Sequence, residues 1–113
     1  MRTLVFGGRN YSDRAALFAV LNSVYDIYCI STVISGMATG ADSLAVAWAA
    51  SKKIDIAPFP ANWKKHGGSA GPIRNQQMID EGKPDLAVCF PGGTGTADML
   101  RRLKLANVKL ICA

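Results

Sequence analysis

Short apolar runs alternate with amphipathic segments along the chain. Five runs rich in Val, Ile, Leu and Phe predict buried strands, at residues 2–6, 30–35, 54–59, 85–90 and 108–112. Apolar residues at helical spacing or helix-boundary residues predict four helices between them. The first begins after Ser12 or Asp13, the second covers residues 42–52, the third has Pro72 in its first turn and Gly82 at its end, and the fourth covers residues 96–106. Strict alternation of strand and helix predicts an α/β fold in which helices cover both faces of a parallel sheet.

Right-handed crossovers leave few ways to wind five parallel strands, and the predicted strand order is 3-2-1-4-5. This is a Rossmann-like, three-layer arrangement in one domain, residues 1–113. The order puts the switch point between strands one and four, and ligands bind there beyond the carboxyl ends of the strands. Residues 7–9 and 92–96 would then face each other across one crevice, with residues 36–42 beside them.

The loop after the fourth strand carries the strongest chemical signal. Gly92, Gly93 and Gly95 separate that strand from a helix, so backbone N–H groups can approach an anion without an intervening Cβ. The positive end of the helix points at the same place. Thr94 and Thr96 can donate hydroxyls to a phosphate, and Thr96 can alternatively cap the helix. The loop predicts a phosphate site, but it lacks the lysine of a P-loop and matches a dinucleotide fingerprint only weakly.

Three glycine turns and one helix supply the predicted ligand contacts. They are Gly7, Gly8, Arg9 and Tyr11 after strand one; Ser35, Gly36, Gly40 and Asp42 after strand two; Arg74 and Asn75 on the third helix; and Pro91, Gly92, Gly93, Thr94, Gly95 and Thr96 in the last turn.

Several of these residues have a second interpretation. Arg74 can clamp a phosphate with its bidentate fork or form a surface ion pair. Tyr11 can stack on a base or pack against the first helix. Asp42 can accept a hydrogen bond from a ribose hydroxyl or cap the second helix. Arg9 can meet a second phosphate, and Asn75 can contact a base or ribose or be solvated.

The connection at residues 62–71 is longer than a typical strand-to-helix loop, and such loops are often functional. It holds Trp63, two lysines and His66, the only histidine. His66 can be a proton donor or a solvated side chain. The three cysteines, Cys29, Cys89 and Cys112, show no metal-ligand spacing and lie in or beside apolar runs. We expect packed, slowly reacting thiols and no metal site.

The chain carries 13 Lys and Arg against 8 Asp and Glu, a net charge of +5. This charge suits an anionic ligand or nucleic acid, although the basic residues do not form the aromatic-interleaved stripe of single-strand binders. The apolar run at residues 44–50 is too short to span a bilayer, so we expect no membrane partner, and the three cysteines, taken as reduced thiols, indicate a cytoplasmic protein. Ser35 and Gly36 replace the acidic residue of NAD dehydrogenases, and no cofactor is expected.

Residues 91–96, PGGTGT, resemble the Pro-Gly-Gly-x-Gly-Thr signature of the SLOG superfamily, which includes the LOG phosphoribohydrolases and "lysine decarboxylase-like" proteins. The strings GGRNY at residues 7–11, SGMATGAD at 35–42, AGPIRNQQM at 70–78 and GKPD at 82–85 are similar to its YspA-type branch. The resemblance covers nearly the whole chain. It implies a nucleotide-binding domain and, because LOG relatives are commonly dimers, a homo-oligomer.

One position departs from the LOG pattern. Arg74 and Met78 reproduce a LOG spacing, but the LOG signature ends in a Glu thought to act in N-glycosidic cleavage, and Met99 stands there. Asp98 is one residue earlier, about 100° away around the helix. If the protein is an enzyme, the resemblance implies Arg74 and Asp98 as catalytic residues.

Three functions follow from these observations. We expect a module that binds a nucleotide or nucleotide-derived, phosphate-bearing small molecule, as a sensor or sequestering protein. The alternative is a phosphoribohydrolase acting on nucleoside 5′-monophosphates. The third is binding of single-stranded DNA, because residues 35–42 resemble a turn of the SLOG-containing DNA-processing protein.

Overall fold

The computed structural model describes residues 1–113, and its strands and helices alternate. In chain order they are β1 (Arg2–Phe6), α1 (Arg14–Tyr28), β2 (Thr32–Ser35), α2 (Ala41–Ser51), β3 (Asp55–Pro58), α3 (Trp63–His66), α4 (Ala70–Asp80), β4 (Leu86–Cys89), α5 (Thr94–Leu105) and β5 (Lys109–Cys112). A single 3₁₀ turn, Gly67–Ser69, joins α3 to α4.

The five strands form one sheet in the order β3-β2-β1-β4-β5, and every pair is parallel. The central strand β1 is hydrogen-bonded to β2 on one side and to β4 on the other, so Leu4 lies between Ile34 and Ala87. The predicted fold class and strand order are therefore confirmed. The glycine-bearing turns after β1, β2 and β4 emerge at the same edge of the sheet.

Alternation along the strands divides the core between the two faces of the sheet. Val5, Val33 and Val88 pack with Leu17 of α1 and Trp48 of α2 in one cluster. On the other face, a second cluster joins the strands to α4 and α5; its members are Leu4, Phe6, Ile34, Met78, Ala87, Cys89, Met99 and Leu103. Full burial of one such Leu or Val side chain stabilises the fold by roughly 1.5–3 kcal/mol. No helix has the length and apolar character that crossing a membrane requires.

The elements around the last two turns differ in part from the prediction. Helix α4 begins at Ala70, so Pro72 lies in its first turn as predicted, where the first four N–H groups of a helix have no internal partner and a proline costs no hydrogen bond. Helix α5 begins at Thr94, with Gly93 as its N-cap, so Thr96 is a buried first-turn residue and does not cap the helix. The predicted loop at 62–71 contains α3, whose first turn is capped by Asn62.

The prediction of three packed thiols is wrong for two of them. Cys89 is buried in β4, but Cys29 and Cys112 are exposed. Cys29 is the C-cap of α1 and adopts a left-handed conformation, with φ 53°, three residues before β2 begins. Cys112 lies on the edge strand β5, directly opposite Cys89 in the parallel register. Burial was predicted because both residues lie in or beside an apolar run. Cys29 is nevertheless at the end of a helix and Cys112 at the edge of the sheet, and both positions are accessible to solvent.

Candidate functional site

A cleft of about 510 Å³ opens where the carboxyl ends of β1 and β4 meet. Its volume falls within the usual range for small-molecule sites. The residues that line it are Phe6, Gly7, Gly8, Arg9 and Asn10 from the end of β1 and the turn after it; Ala38 from the turn after β2; Asp42 from α2; Trp63 from α3; Gly68, Gly71, Pro72, Arg74, Asn75 and Met78 from the 3₁₀ turn and α4; and Gly93, Thr94, Gly95, Thr96 and Met99 from the N-cap and body of α5.

The amino-terminal end of α5 forms one wall of the cleft. The backbone N–H groups of residues 93–96 have no acceptor within the protein, and the first donor with a partner in this turn is Ala97 N, which binds Gly93 O at 3.0 Å. No side chain caps this helix. The macrodipole of the 12-residue helix adds about half a positive charge at the same place. This end of α5 can therefore accept an anion through several backbone hydrogen bonds.

Close backbone contacts hold the three glycine turns together. Gly8 N donates to Pro91 O at 2.9 Å, and Ala41 N donates to Gly8 O at 3.1 Å. A Cβ on Gly92 would lie 2.6 Å from Gly8 N, so a larger residue would push these turns apart. The turn after β1 is thus fixed to both of its neighbours, and the glycines narrow the gap between the turns.

Arg74 connects α4 to the turn after β2. Its Nη1 donates to Gly36 O at 2.6 Å, and its Nε donates to Asn75 Oδ1 at 3.2 Å. A Cβ on Gly36 would lie 2.5 Å from Nη1, so only glycine leaves room for the guanidinium. Burial, together with the charge of Arg9, lowers the pKa of Arg74, and Asp42 partly offsets this effect. The guanidinium therefore brings a partly desolvated positive charge to the cleft.

Asp42 is the carboxylate that lines the cleft. It lies in the first turn of α2, is 6% exposed, and accepts a hydrogen bond from Ala38 N at 3.2 Å through Oδ2. Oδ1 has no protein partner, and no cation forms an ion pair with the group. Burial raises the pKa of Asp42, although the Ala38 N–H and the charges of Arg74 and Arg9 act in the opposite direction. Asp42 thus closes the turn before α2 and leaves one oxygen free.

Asp98 does not line the cleft, and both of its carboxylate oxygens accept hydrogen bonds from other side chains. Its oxygens accept hydrogen bonds from Arg101 Nη2 at 3.0 Å, Arg102 Nε at 2.8 Å and Asn75 Nδ2 at 3.0 Å. Burial acts to raise the pKa of Asp98, but the hydrogen bonds from Arg102, Asn75 and Arg101 outweigh it and lower the pKa. Met99, the next residue of α5, lines the cleft and is 1% exposed.

Asn75 links the cleft to this network. It is almost fully buried, accepts from Arg74 Nε, and donates to both Gly95 O at 3.3 Å and Asp98 Oδ2. Both of its Nδ2 hydrogens and its oxygen are therefore engaged within the protein. Asn75 fixes the start of α5 relative to α4, and through Arg74 relative to the turn after β2.

Of the predicted ligand contacts, ten line the cleft: Gly7, Gly8, Arg9, Asp42, Arg74, Asn75, Gly93, Thr94, Gly95 and Thr96. The other predicted residues lie behind it. The Tyr11 ring packs on Phe90, with centroids 5.5 Å apart. Ser35 Oγ accepts from Met37 N at 3.1 Å. Gly36, Gly40, Pro91 and Gly92 make the contacts between turns. No three His, Cys, Asp or Glu side chains come together as a metal site.

Comparison with other proteins shows the family of this chain. The family described as "YspA, cpYpsA-related SLOG family" has a model that matches residues 1–66. The chain belongs to this SLOG family. The "Gene 61 protein" of Mycobacterium phage D29 is 31% identical over an alignment of 122 positions, and the alignment covers 97% of this chain and 94% of the phage protein. Membership of the SLOG family suggests a nucleotide-related function.

Trp63 is among the nine residues that line this SLOG cleft but were not predicted as ligand contacts. Trp63 lines the cleft and is 47% exposed, and the Arg9 guanidinium lies over its ring, 5.1 Å from the centroid. A four-residue helix carries no periodic signal, so only the unusual length of the connection pointed to this segment. His66, the other candidate of that connection, does not line the cleft.

Proposed function

We propose that this protein binds a nucleotide or nucleotide-derived ligand that carries a phosphate, and that it acts as a sensor or sequestering module. The observation that carries the proposal is the row of free backbone N–H groups at residues 93–96, at the positive end of a helix and open to a cleft of ligand size. Membership of the SLOG family supports a ligand of this class.

In this proposal the phosphate binds at the start of α5. The backbone donors of residues 93–96 and the Thr94 hydroxyl surround it, and the charges of Arg74 and Arg9 favour an anion in the same cleft. A hydrogen bond to a charged group contributes roughly 1.5–3 kcal/mol. Asp42 Oδ1, which has no protein partner, accepts a hydrogen bond from a ribose hydroxyl.

Binding is favoured over LOG-type hydrolysis by the surroundings of the expected carboxylate. Asp98 is neutralised by Arg101 and Arg102 and does not line the cleft. Met99, which does line it, has no group that can transfer a proton or stabilise a cation. The cleft therefore lacks a carboxylate at the position where LOG proteins carry theirs.

The test is a calorimetric titration of nucleoside 5′-monophosphates into the wild type and into Thr94→Asp. The new carboxylate would occupy the anion site among the free N–H groups, so we expect affinity to fall roughly ten- to a hundredfold. The variant should fold, because an acidic residue in the first turn favours the helix. Ala97→Asp adds the same charge to the same helix outside the cleft lining, and its affinity should stay within about threefold of the wild type. Equal affinity of Thr94→Asp and wild type, or a wild type that binds no phosphate compound, would contradict the proposal.

Asp42 supports one second candidate, hydrolysis of the N-glycosidic bond of a nucleoside 5′-monophosphate. Its carboxyl group is buried, lines the cleft and has a raised pKa, which are properties of a general acid or base. If the protein has this activity, Asp42→Asn should lower the rate of free-base release by roughly two to four decades. Asp98→Asn, which changes a carboxylate outside the cleft, should leave the rate nearly unchanged. Chromatography of the products formed by the wild type from a nucleoside 5′-monophosphate tests this activity. If no free base is released, hydrolysis is excluded.

A further inference from the structure

An aromatic side chain is held open to solvent at the cleft. Trp63 is 47% exposed, whereas the other tryptophan of the chain, Trp48, is completely buried in the core. Tryptophan side chains are on average highly buried, because exposing so large a ring forgoes much hydrophobic stabilisation. The open ring is therefore a feature that packing alone does not account for.

Three parts of the chain surround the Trp63 ring or hold the turn that carries it. The single turn of α3 is closed by Asn62 Oδ1, which accepts from Lys65 N at 3.1 Å. The far end of the ring lies at the start of α4, where a Cβ on Gly71 would be 3.6 Å from Cη2. The Arg9 guanidinium, from the turn after β1, lies over the ring at 5.1 Å. The indole thus presents a flat surface in a defined position.

No other aromatic ring of the cleft is available for stacking. Phe6 lines the cleft but is buried in the core beneath it, and Tyr11 packs on Phe90 outside the lining. Met78 and Met99 are equally buried. A planar group bound in this cleft would therefore meet Trp63 as its only open aromatic partner.

We propose that Trp63, with Arg9 against its ring, is the base-stacking surface of this cleft, so that the ligand carries a nucleobase and is not a sugar phosphate alone. The inference rests on the proposed function, because the phosphate at the start of α5 places the ligand in the same cleft. Every base has a π-face, so stacking on an aromatic ring adds affinity with little dependence on base identity. The Arg9 guanidinium adds a cation–π contribution and a positive charge.

The test compares ligands with and without a base, using the wild type, Trp63→Ala and Trp63→Phe. The probes are AMP, GMP, CMP and UMP, with ribose 5-phosphate as the base-free ligand, each titrated by calorimetry. In Trp63→Ala we expect the affinity for the four nucleotides to fall roughly five- to a hundredfold, while ribose 5-phosphate binds within about twofold of the wild type. Trp63→Phe should recover most of the nucleotide affinity.

Tryptophan emission provides a second readout and a folding control. Nucleotides should quench wild-type emission through Trp63, and this quenching should disappear in Trp63→Phe although binding persists. Trp48 remains in every variant, donates to Asn22 Oδ1 at 2.9 Å and lies edge-on to Tyr25, so its emission reports that the fold is intact.

The outcomes separate the two proposals. Nucleotide affinity that is unchanged in Trp63→Ala, or an equal loss for nucleotides and ribose 5-phosphate, overturns the stacking inference and leaves the phosphate site standing. A wild type that binds neither kind of ligand overturns the proposed function and the inference with it.

Discussion

Two aspartates near the glycine turns show how neighbouring side chains decide what a residue can do. Burial raises the pKa of Asp42, whereas hydrogen bonds from Arg102, Asn75 and Arg101 overcome the opposing effect of burial at Asp98 and lower its pKa. The engagement of Asp98 was readable from the sequence, since Arg101 and Arg102 follow it at the i+3 and i+4 spacing of helical ion pairs. The burial of Asp42 was not readable, because it depends on the turns that converge around α2.

The thiols give a prediction at the same scale. Cys89 is 6% exposed, and burial, together with the neighbouring Cys112 thiol, raises its pKa to about 11. Since the thiolate is the reactive form, Cys89 should react slowly with a disulfide reagent at pH 8, while the exposed Cys29 and Cys112 react within minutes. Absorbance of the released thiol should therefore show two fast equivalents and a third only after unfolding.

Single-cysteine variants assign these phases. Cys29→Ser and Cys112→Ser should each remove one fast-reacting thiol equivalent and leave the slow reaction of Cys89 unchanged. Rapid, complete labelling of all three thiols in the folded protein would contradict the placement of Cys89 in the core.

At the scale of elements, the glycine turns are fixed by backbone contact as well as by conformation. Gly40 has φ +75° and precedes α2, and a Cβ there would collide with the backbone of Gly8 and Arg9. Gly40→Ala should lower the free energy of unfolding by about 2 kcal/mol or more, because the strained backbone alone costs roughly 1–3 kcal/mol. Urea unfolding followed by circular dichroism measures the change.

Gly95→Ala is the matched control for this prediction. A Cβ at Gly95 meets open space, and alanine favours a helix over glycine by roughly 0.5–1 kcal/mol. This variant should be as stable as the wild type or slightly more stable. Equal stability of Gly40→Ala and Gly95→Ala would show that the turn before α2 is not constrained as described.

Element boundaries were predictable only where the sequence carries a periodic or capping signal. The leucines and valine of α1 repeat at helical spacing, and Asp13 caps it as expected, with its side chain accepting from Ala16 N. The predicted start of α5 is two residues too late, because Thr94 and Gly95 are poor helix formers. In the folded protein both residues belong to the first turn of the helix. The four residues of α3 are too few to show a period at all.

At the scale of the whole molecule, the alternation of strands and helices was sufficient to predict the sheet. Parallel strands with right-handed crossovers permit few orders, and the observed order β3-β2-β1-β4-β5 brings the turns after β1 and β4 together. The location of the cleft follows from that order. The position of Trp63 does not, because it depends on how the connection between β3 and α4 folds to bring Trp63 to the cleft.

The homo-oligomer implied by the resemblance to LOG proteins stays a prediction. Sedimentation equilibrium over a range of protein concentrations should give a mass above the 12.0 kDa of one chain. A single species of monomer mass at the highest concentration would contradict it.

A crystal structure with a bound nucleoside 5′-monophosphate would show whether a phosphate binds at the start of α5. We expect phosphate density within hydrogen-bond distance of the backbone N–H groups of residues 93–96, at the edge of the sheet where β1 and β4 end. Density for the phosphate only at the opposite edge of the sheet, with residues 93–96 in contact with solvent alone, would contradict it.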